Sequence, residues 1–213
     1  MRTLITSVFA LAACFAQAQV PPANAKNANT SARMDTKATN SISATNTAVK
    51  REVATLAGGC FWGMEEILRK IPGVLDTRVG YTGGTVPNPT YRLVTTGITG
   101  HAEGLEIGFD PTKLSYEELL LIFFRMHDPT TLNRQHNDIG TQYRSAIFYH
   151  SEEQKQIAER VKARVDKSGQ WKKPVVTEIT KASTFYVAED YHQKYLIKNP
   201  RGYNCHVLMD MKF

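Results

Sequence analysis

One cysteine of this chain stands in surroundings that make a thiol reactive. Cys60 follows Gly58 and Gly59, precedes two aromatic residues and opens a run of apolar residues with helical spacing, while the residues before the glycines read as a β-strand. A thiol at such a strand-to-helix turn faces the positive end of the helix dipole, which stabilises a thiolate and lowers the pKa of the cysteine. The pattern therefore predicts a nucleophilic Cys60, although a lone cysteine is often only a small buried hydrophobe.

A thiol that attacks an oxidised substrate needs a proton donor and a second thiol, and both occur further along the chain. Glu103 begins a predicted strand, where partial burial raises the pKa of a carboxyl and keeps it protonated. Tyr91 and Tyr143 flank loop regions and can donate hydrogen bonds to a negatively charged oxygen. Cys205 lies in a glycine-containing C-terminal tail, which suits a thiol that resolves a sulfenic acid.

The elements that must position these residues alternate between strand and helix. The pattern predicts strands at 52–56, 74–81, 103–109, 142–149 and 175–179. It predicts helices from Cys60 to about residue 71, from a capping box at 115–118 to about residue 127, at 151–168 and at 188–197. This order predicts an α/β (α+β) fold, a two-layer α/β sandwich with a ferredoxin-like plait core and a long irregular C-terminal tail.

The N-terminal quarter of the sequence differs from the rest. Residues 1–18 combine a basic start, an apolar stretch and Ala16-Gln17-Ala18, and this pattern predicts a signal peptide and export to the periplasm. The alternative is a lipoprotein anchored through Cys14, because Leu11-Ala12-Ala13-Cys14 resembles a lipoprotein box. Residues 19–50 contain too few large apolar side chains to form a folded core, and this composition predicts a disordered linker. The catalytic domain is therefore expected at 51–213.

Charge does not indicate a nucleic-acid partner. The chain of 213 residues has a formal net charge of +6, but residues 1–50 hold five basic residues against one acidic residue. From Arg51 onwards 21 basic residues face 19 acidic ones, a net charge of +2, and no basic recognition helix occurs there. The spacing of the histidines, His101, His127, His192 and His206 among them, matches no compact zinc ligand set, so no metal is expected.

Four motifs in a fixed order resemble those of the peptide-methionine (S)-S-oxide reductases, the A-type methionine sulfoxide reductases. The resemblance covers roughly residues 52–205, and no single motif would carry it alone. The motifs are Gly59-Cys60-Phe61-Trp62-Gly63, Gly80-Tyr81-Thr82-Gly83-Gly84 with Pro87-Asn88-Pro89-Thr90-Tyr91, Gly100-His101-Ala102-Glu103, and His127-Asp128-Pro129 followed by Asn137-Asp138-Ile139-Gly140-Thr141-Gln142-Tyr143-Arg144-Ser145.

The resemblance implies a role for each matching residue. Cys60 attacks the sulfur of the S-epimer of methionine sulfoxide, free or in proteins, while Glu103 gives a proton to the oxygen. Tyr91 and Tyr143 hold that oxygen, and Asp138 supports their hydrogen-bond network. The reaction leaves methionine and a sulfenic acid on Cys60, and it implies repair of oxidised proteins during oxidative stress.

The resemblance also implies how the substrate is held and how the enzyme is regenerated. Phe61 and Trp62 form an apolar wall for the ε-methyl group of the substrate. Cys205 condenses with Cys60 to a disulfide, which a thioredoxin or, for an exported protein, a periplasmic thioredoxin-like reductant reduces. The tail carries one cysteine where the family often has two, so we expect direct reduction of this disulfide. No cofactor is required, and we expect a monomer.

Two other functions compete with this interpretation. A general thiol peroxidase or disulfide oxidoreductase could use the same cysteine pair without needing Glu103. A binding module could use Phe61, Trp62 and the loop tyrosines to hold a ligand without turnover. Assays with both epimers of methionine sulfoxide and with hydrogen peroxide separate the three.

Overall fold

The fold is organised around a six-stranded β-sheet in a computed structural model that describes residues 50–213. The strands are β1 (Glu52–Gly58), β2 (Val74–Thr82), β3 (Ala102–Phe109), β4 (Arg134–Gln135), β5 (Asp138–Ile139), β6 (Ser145–Tyr149), β7 (Glu178–Lys181) and β8 (Tyr186–Val187). The sheet has the order β7-β6-β1-β3-β2-β8, and β4 pairs with β5 as a separate hairpin. Only β6 and β7 are parallel neighbours in the main sheet.

Residues 50–213 also contain five helices and one 3₁₀ helix, and all but the last helix lie between strands in the sequence. They are α1 (Phe61–Leu68), α2 (Tyr91–Val94), α3 (Tyr116–Phe124), the 3₁₀ helix (Thr141–Tyr143), α4 (Glu152–Lys167) and α5 (Tyr195–Lys198). The predicted capping box opens α3: the Ser115 hydroxyl accepts from the Glu118 N–H at 3.2 Å, and the Glu118 carboxylate accepts from the Ser115 N–H at 2.9 Å. Within residues 50–213, no helix is both long and apolar enough to cross a membrane.

The central strands β6-β1-β3-β2, connected by α1 and α3, have the order of a ferredoxin-like plait. Strand alternation sends Leu56 and Ile107 to one face, where they share a core with the buried residues of α1, α3 and α4. The opposite face has a small cluster that includes Ala57 and Phe148. The predicted two-layer sandwich is confirmed, and so is the irregular tail, because residues 199–213 contain no helix or strand.

The antiparallel pairing determines where a site can form. The end of β1 lies beside the starts of β3 and β6, since Leu56 pairs with Leu105 and Gly58 pairs with Ser145. The end of β2 lies beside the start of β3 as well, where Tyr81 pairs with Glu103. The ends of β1 and β2, the starts of β3 and β6 and the N-terminus of α1 therefore lie together at one end of the central strands.

The predicted helix at 188–197 is wrong over most of its length. Residues 188–194 form no helix, and α5 begins only at Tyr195. The side-chain amide of Gln193 accepts from the Val79 N–H at 3.0 Å and donates to the Val79 carbonyl at 2.9 Å, so it pairs with β2 as a strand would. Lys194 has φ 52°, a left-handed conformation that interrupts a helix. Tertiary hydrogen bonds outweigh local helix propensity here.

Other boundaries differ by a few residues. The strand predicted at 142–149 begins at Ser145, because residues 141–143 form the 3₁₀ helix, and the strand predicted at 175–179 begins at Glu178. The β4–β5 hairpin and the short β8 were not predicted; each strand is two residues long and carries no alternation signal. The predicted signal peptide (1–18), nearly all of the predicted linker (19–50) and Cys14 lie outside the described residues.

Candidate active site

Cys60 lies at the turn between β1 and α1, at the N-cap position of the helix. The turn depends on Gly59, whose φ of 103° is rarely accessible to a residue with a side chain. A Cβ at this position would also lie 2.6 Å from Cγ of Gln135. The turn thus places the thiol in the interior, where 6% of Cys60 is exposed.

Glu103 is buried beside this turn, with 1% of the residue exposed. It shares the parity of Leu105 and Ile107 in β3, so its side chain points to the helix face and reaches the start of α1. The carboxylate accepts the Phe61 N–H at 3.1 Å. Burial raises the pKa of Glu103 to about 8, although the Phe61 N–H lowers it; the charges of Asp138 and Cys205 raise it further.

Cys60 and Cys205 are both free thiols, and they lie close enough for each to shift the pKa of the other. The neighbouring Cys205, burial and the Glu103 charge raise the pKa of Cys60, and the N–H of Trp62 at the helix start only partly offsets them. The pKa of Cys205 is lowered by the neighbouring Cys60, by His206, whose Nδ1 lies 3.2 Å from its Sγ, and by Asp138. The predicted lowering of the Cys60 pKa is wrong for this arrangement, because the nearby thiol and carboxyl outweigh the helix N-terminus.

Tyr91 and Tyr143 lie close enough to Glu103 for their ionisation to respond to its charge. Tyr91 begins α2 and Tyr143 ends the 3₁₀ helix. Burial, and then the Glu103 charge, raises the pKa of Tyr91 to about 12 and raises the pKa of Tyr143 as well. Both phenols therefore remain hydrogen-bond donors at neutral pH.

Asp138 contacts the C-terminal tail. Its carboxylate accepts hydrogen bonds from the Tyr203 hydroxyl, at 3.2 Å to each oxygen, and it lies close enough to Cys205 for each group to shift the pKa of the other. Burial, followed by the neighbouring Cys205, raises the pKa of Asp138 to about 6. In this arrangement Asp138 supports the second thiol directly and influences Tyr91 and Tyr143 through its charge.

Phe61 and Trp62 form an aromatic group at the start of α1, with their ring centroids 6.4 Å apart. Phe61 is fully buried, whereas Trp62 is half-buried and stacks on Tyr195 at a centroid distance of 3.8 Å. The indole N–H of Trp62 donates to Nδ1 of His192 at 3.0 Å. The stacking on Tyr195 and the hydrogen bond to His192 hold the indole in one orientation. All eight residues predicted for the site therefore lie in one region of the structure.

Sequence reasoning missed three residues that support this arrangement. Glu189 accepts from the Tyr91 N–H at 2.9 Å and from the Tyr81 hydroxyl at 2.8 Å, while His192 orients Trp62. The sequence signal for Glu189 and His192 was the pattern of residues 189–194, in which polar side chains follow one another without forming an apolar face. This pattern does not suit the predicted helix. The third residue is His206, which contacts Cys205; adjacency in sequence was its only signal.

The histidines considered as zinc ligands take part in separate hydrogen bonds. His101 bonds to the backbone of residues 84 and 86, and His127 to the Phe123 carbonyl and the Ser145 hydroxyl. In the part of the chain that the structure describes, no three His, Cys, Asp or Glu side chains are grouped so that they could hold a metal ion.

Comparison with known proteins gives a consistent result. The family model described as "Peptide methionine sulfoxide reductase" matches residues 52–213. The peptide methionine sulfoxide reductase MsrA of Methanothermobacter thermautotrophicus is 56% identical over 157 residues, which cover 74% of this chain and 92% of the relative.

Solved structures agree with this match. The reduced form of Mxr1 from Saccharomyces cerevisiae has a TM-score of 0.72 at 40% identity, covering 76% of this chain and 94% of Mxr1. Mxr1 from the same yeast in complex with Trx2 has a TM-score of 0.53 at 27% identity, covering 76% and 93%.

Proposed function

The chain belongs to the peptide methionine sulfoxide reductase family and is a peptide-methionine (S)-S-oxide reductase, an oxidoreductase, and from this premise we propose how its site works. The proposed substrate is the S-epimer of methionine sulfoxide, free and in proteins, so that the protein repairs oxidised methionine. The proposed reaction passes through a sulfenic acid on Cys60 and a disulfide between Cys60 and Cys205.

The observation that carries this proposal is the buried carboxyl group of Glu103, which accepts the Phe61 N–H at 3.1 Å beside the Cys60 turn. Its pKa of about 8 leaves it mostly protonated at pH 7, so it can donate a proton to the sulfoxide oxygen. Thiol–disulfide exchange breaks no sulfur–oxygen bond, so it has no departing oxygen for this acid to protonate. Tyr91 and Tyr143, both protonated, supply further donors for the same oxygen.

The first step joins Cys60 to the sulfoxide sulfur. The electron pair of the Cys60 sulfur attacks as Glu103 protonates the oxygen, and the proton of Cys60 restores the Glu103 carboxyl. Transfer of the oxygen to Cys60 then releases methionine and leaves the sulfenic acid. Phe61 and Trp62 provide the apolar surface on which the methyl group of the substrate packs.

The second step uses the neighbouring thiol of Cys205. Cys205 is already close enough to Cys60 for each to shift the pKa of the other, so the attack on the sulfenic acid requires no large movement of the tail. The product is a disulfide and water. A thioredoxin-like donor then reduces the disulfide, and the solved complex of yeast Mxr1 with Trx2 supports a donor of this class.

The proposed cellular location of the protein rests on the predicted signal peptide. Residues 1–18 support export, which would require a periplasmic thioredoxin-like reductant, with lipid anchoring through Cys14 as the alternative. Mass analysis of the mature N-terminus distinguishes a chain cut after Ala18 from one that begins at a lipidated Cys14.

The test of the function is an assay that resolves substrates. Purified protein with dithiothreitol receives each epimer of free and peptide-bound methionine sulfoxide or hydrogen peroxide. We expect turnover of the S-epimer alone and none in Cys60→Ser, because a hydroxyl is a much weaker nucleophile than a thiol at neutral pH. Reduction of peroxide without either epimer, or ligand binding without any turnover, would contradict the proposal.

A further inference from the structure

We propose that His206 is the base that takes the proton of Cys205 when Cys205 attacks the oxidised Cys60, an inference that rests on the proposed function. The imidazole is held between a backbone carbonyl and the second thiol. Its Nε2 lies 2.8 Å from the Gly58 carbonyl oxygen, and its Nδ1 lies 3.2 Å from Sγ of Cys205.

These two contacts determine the tautomer of the neutral ring. A carbonyl oxygen only accepts, so Nε2 carries the hydrogen and donates it to Gly58. The lone pair of a neutral imidazole then resides on Nδ1, which faces the Cys205 sulfur. In this tautomer the nitrogen next to the thiol is the one that can accept its proton.

The position of the ring is also determined by packing. His206 is 2% exposed, and its N–H donates to the side-chain carbonyl of Asn204 at 3.0 Å. A Cβ on Gly63 would come within 2.6 Å of Nδ1, and a Cβ on Gly59 within 3.2 Å of Cε1. The two glycines thus form the surface on which the imidazole rests, which accounts for Gly63 inside a helix that Ala would favour.

A base is needed specifically in the second step. In the reduced pair, the Cys60 thiol is the largest influence that lowers the pKa of Cys205. When Cys60 becomes a sulfenic acid, that thiol no longer exists. Of the groups that lower the pKa of Cys205, His206 and Asp138 then remain, and His206, whose Nδ1 lies 3.2 Å from Sγ of Cys205, is the stronger influence.

The titratable groups around this pair come from several elements. Those that face it are Cys60 before α1, Glu103 on β3, His127 after α3, Asp138 on β5 and Tyr203 on the tail. Burial lowers the pKa of His127 to about 3, so this ring stays neutral and does not compete for the proton. Asp138 is the competing base, because its carboxyl group is close enough to Cys205 for each to shift the pKa of the other.

The proposed step balances without an outside oxidant or reductant. The Cys205 proton passes to Nδ1, the sulfur attacks Sγ of Cys60, the S–S bond forms and the S–O bond of the sulfenic acid breaks. The departing hydroxyl takes a proton from Glu103 and leaves as water. The imidazolium then gives up its proton, which restores the Glu103 carboxyl through solvent, so the sum is the loss of one water.

The test compares two steps in one His206→Gln variant. The amide nitrogen of Gln lies as many bonds from Cα as Nε2 of His, so it can keep the bond to Gly58 while the base is lost. Reduced protein is mixed with the S-epimer and quenched at intervals. Released methionine reports the first step, and dimedone trapping with non-reducing peptide mapping reports sulfenic acid and disulfide.

We expect His206→Gln to release methionine within about threefold of the wild-type rate and to form the disulfide about 10²-fold more slowly at pH 7, the lower end for loss of a general base. Sulfenic acid should accumulate, as we also expect in Cys205→Ser, where it should approach one per protein molecule. The deficit should shrink toward pH 9.5, because hydroxide ionises an ordinary thiol near pH 8.5. His136→Gln, an exposed histidine, should match the wild type in both steps.

Three results would overturn the role of His206. They are an unchanged rate of disulfide formation, a deficit that is equal at every pH, and a loss of methionine release in the variant alone. If Asp138→Asn instead shows the deficit that high pH rescues, the carboxylate is the base. Failure of the proposed function is distinguishable, because the wild type would then release no methionine from the S-epimer.

Discussion

Glu103 is the residue whose environment departs furthest from what a glutamate normally meets. Its carboxyl is buried beneath the start of α1 and accepts one backbone hydrogen bond, from Phe61. One N–H bond does not offset the loss of hydration, and the pKa rises to about 8. The chain thus places a carboxyl group with a raised pKa close to a thiol, which suits the proposed protonation of a sulfoxide oxygen.

Replacement of this acid should slow the chemical step selectively. Glu103→Gln keeps an acceptor for the Phe61 N–H but has no proton to give, so single-turnover methionine release should fall by roughly 10²- to 10⁴-fold. The wild-type rate should decline above about pH 8, as Glu103 ionises, and the variant should lack this decline. Rapid quench across this pH range measures both effects.

The matched control lies on the same strand. Glu106→Gln removes a carboxyl that pairs with Arg78 on β2, outside the site, and should leave the rate within about twofold of the wild type. A wild-type rate in Glu103→Gln would remove Glu103 from the mechanism.

Among the elements, α1 and the C-terminal tail depend on each other. The tail has no regular structure, but Asn204 and His206 pack on Gly63 of α1, and the Met209 N–H donates to the Arg125 carbonyl at 2.8 Å. Arg125 also donates from its side chain to the Met209 carbonyl at 3.0 Å. An irregular segment is thus held by contacts on both sides of Cys205, which keeps the second thiol next to the first.

Gly63→Ala should separate helix stability from tail docking. Ala stabilises a helix interior by about 1 kcal/mol relative to Gly, but the new Cβ would lie 2.6 Å from the side chains of Asn204 and His206. We expect methionine release to persist while disulfide formation slows by about tenfold or more, as rapid quench and peptide mapping would show. Val207→Ala, which changes an exposed tail side chain, should affect neither. Equal disulfide rates in Gly63→Ala and the wild type would refute docking on this glycine.

For the whole molecule, the buried acid makes stability depend on pH. The pKa of Glu103 is raised in the folded state from 4.5 to about 8, so folding binds a proton between these values. The contribution of Glu103 to stability is complete below about pH 4.5 and is lost as pH rises through about 8. The lowered pKa of Cys205 acts in the opposite sense, so only a difference between variants isolates Glu103.

The free energy of unfolding of Glu103→Gln relative to the wild type should therefore increase with pH. The slope should approach about 1.4 kcal/mol per pH unit between about pH 5 and pH 8, because Gln has no proton to lose. Denaturant unfolding of both proteins at a series of pH values measures it. A difference that stays constant with pH would show that Glu103 has an ordinary pKa in the folded state.

The sequence by itself determined the family and the fold class of this protein, and it singled out the residues that the structure places around Cys60. Local signals suffice for these: glycines before Cys60, period-two strands such as β3, the capping box of α3 and motifs in a fixed order. They depend on neighbours within a few residues, which the sequence displays directly.

Only the tertiary structure decided the protonation state of the site and the conformation of residues 188–194. The pKa of Cys60 is raised because Cys205 and Glu103 approach it from distant parts of the chain. The segment that carries Glu189 and His192 stays non-helical because its side chains bond to Tyr81, Tyr91 and Trp62. These outcomes depend on desolvation and on hydrogen bonds between residues up to about 150 positions apart, and no local pattern encodes which partners will meet.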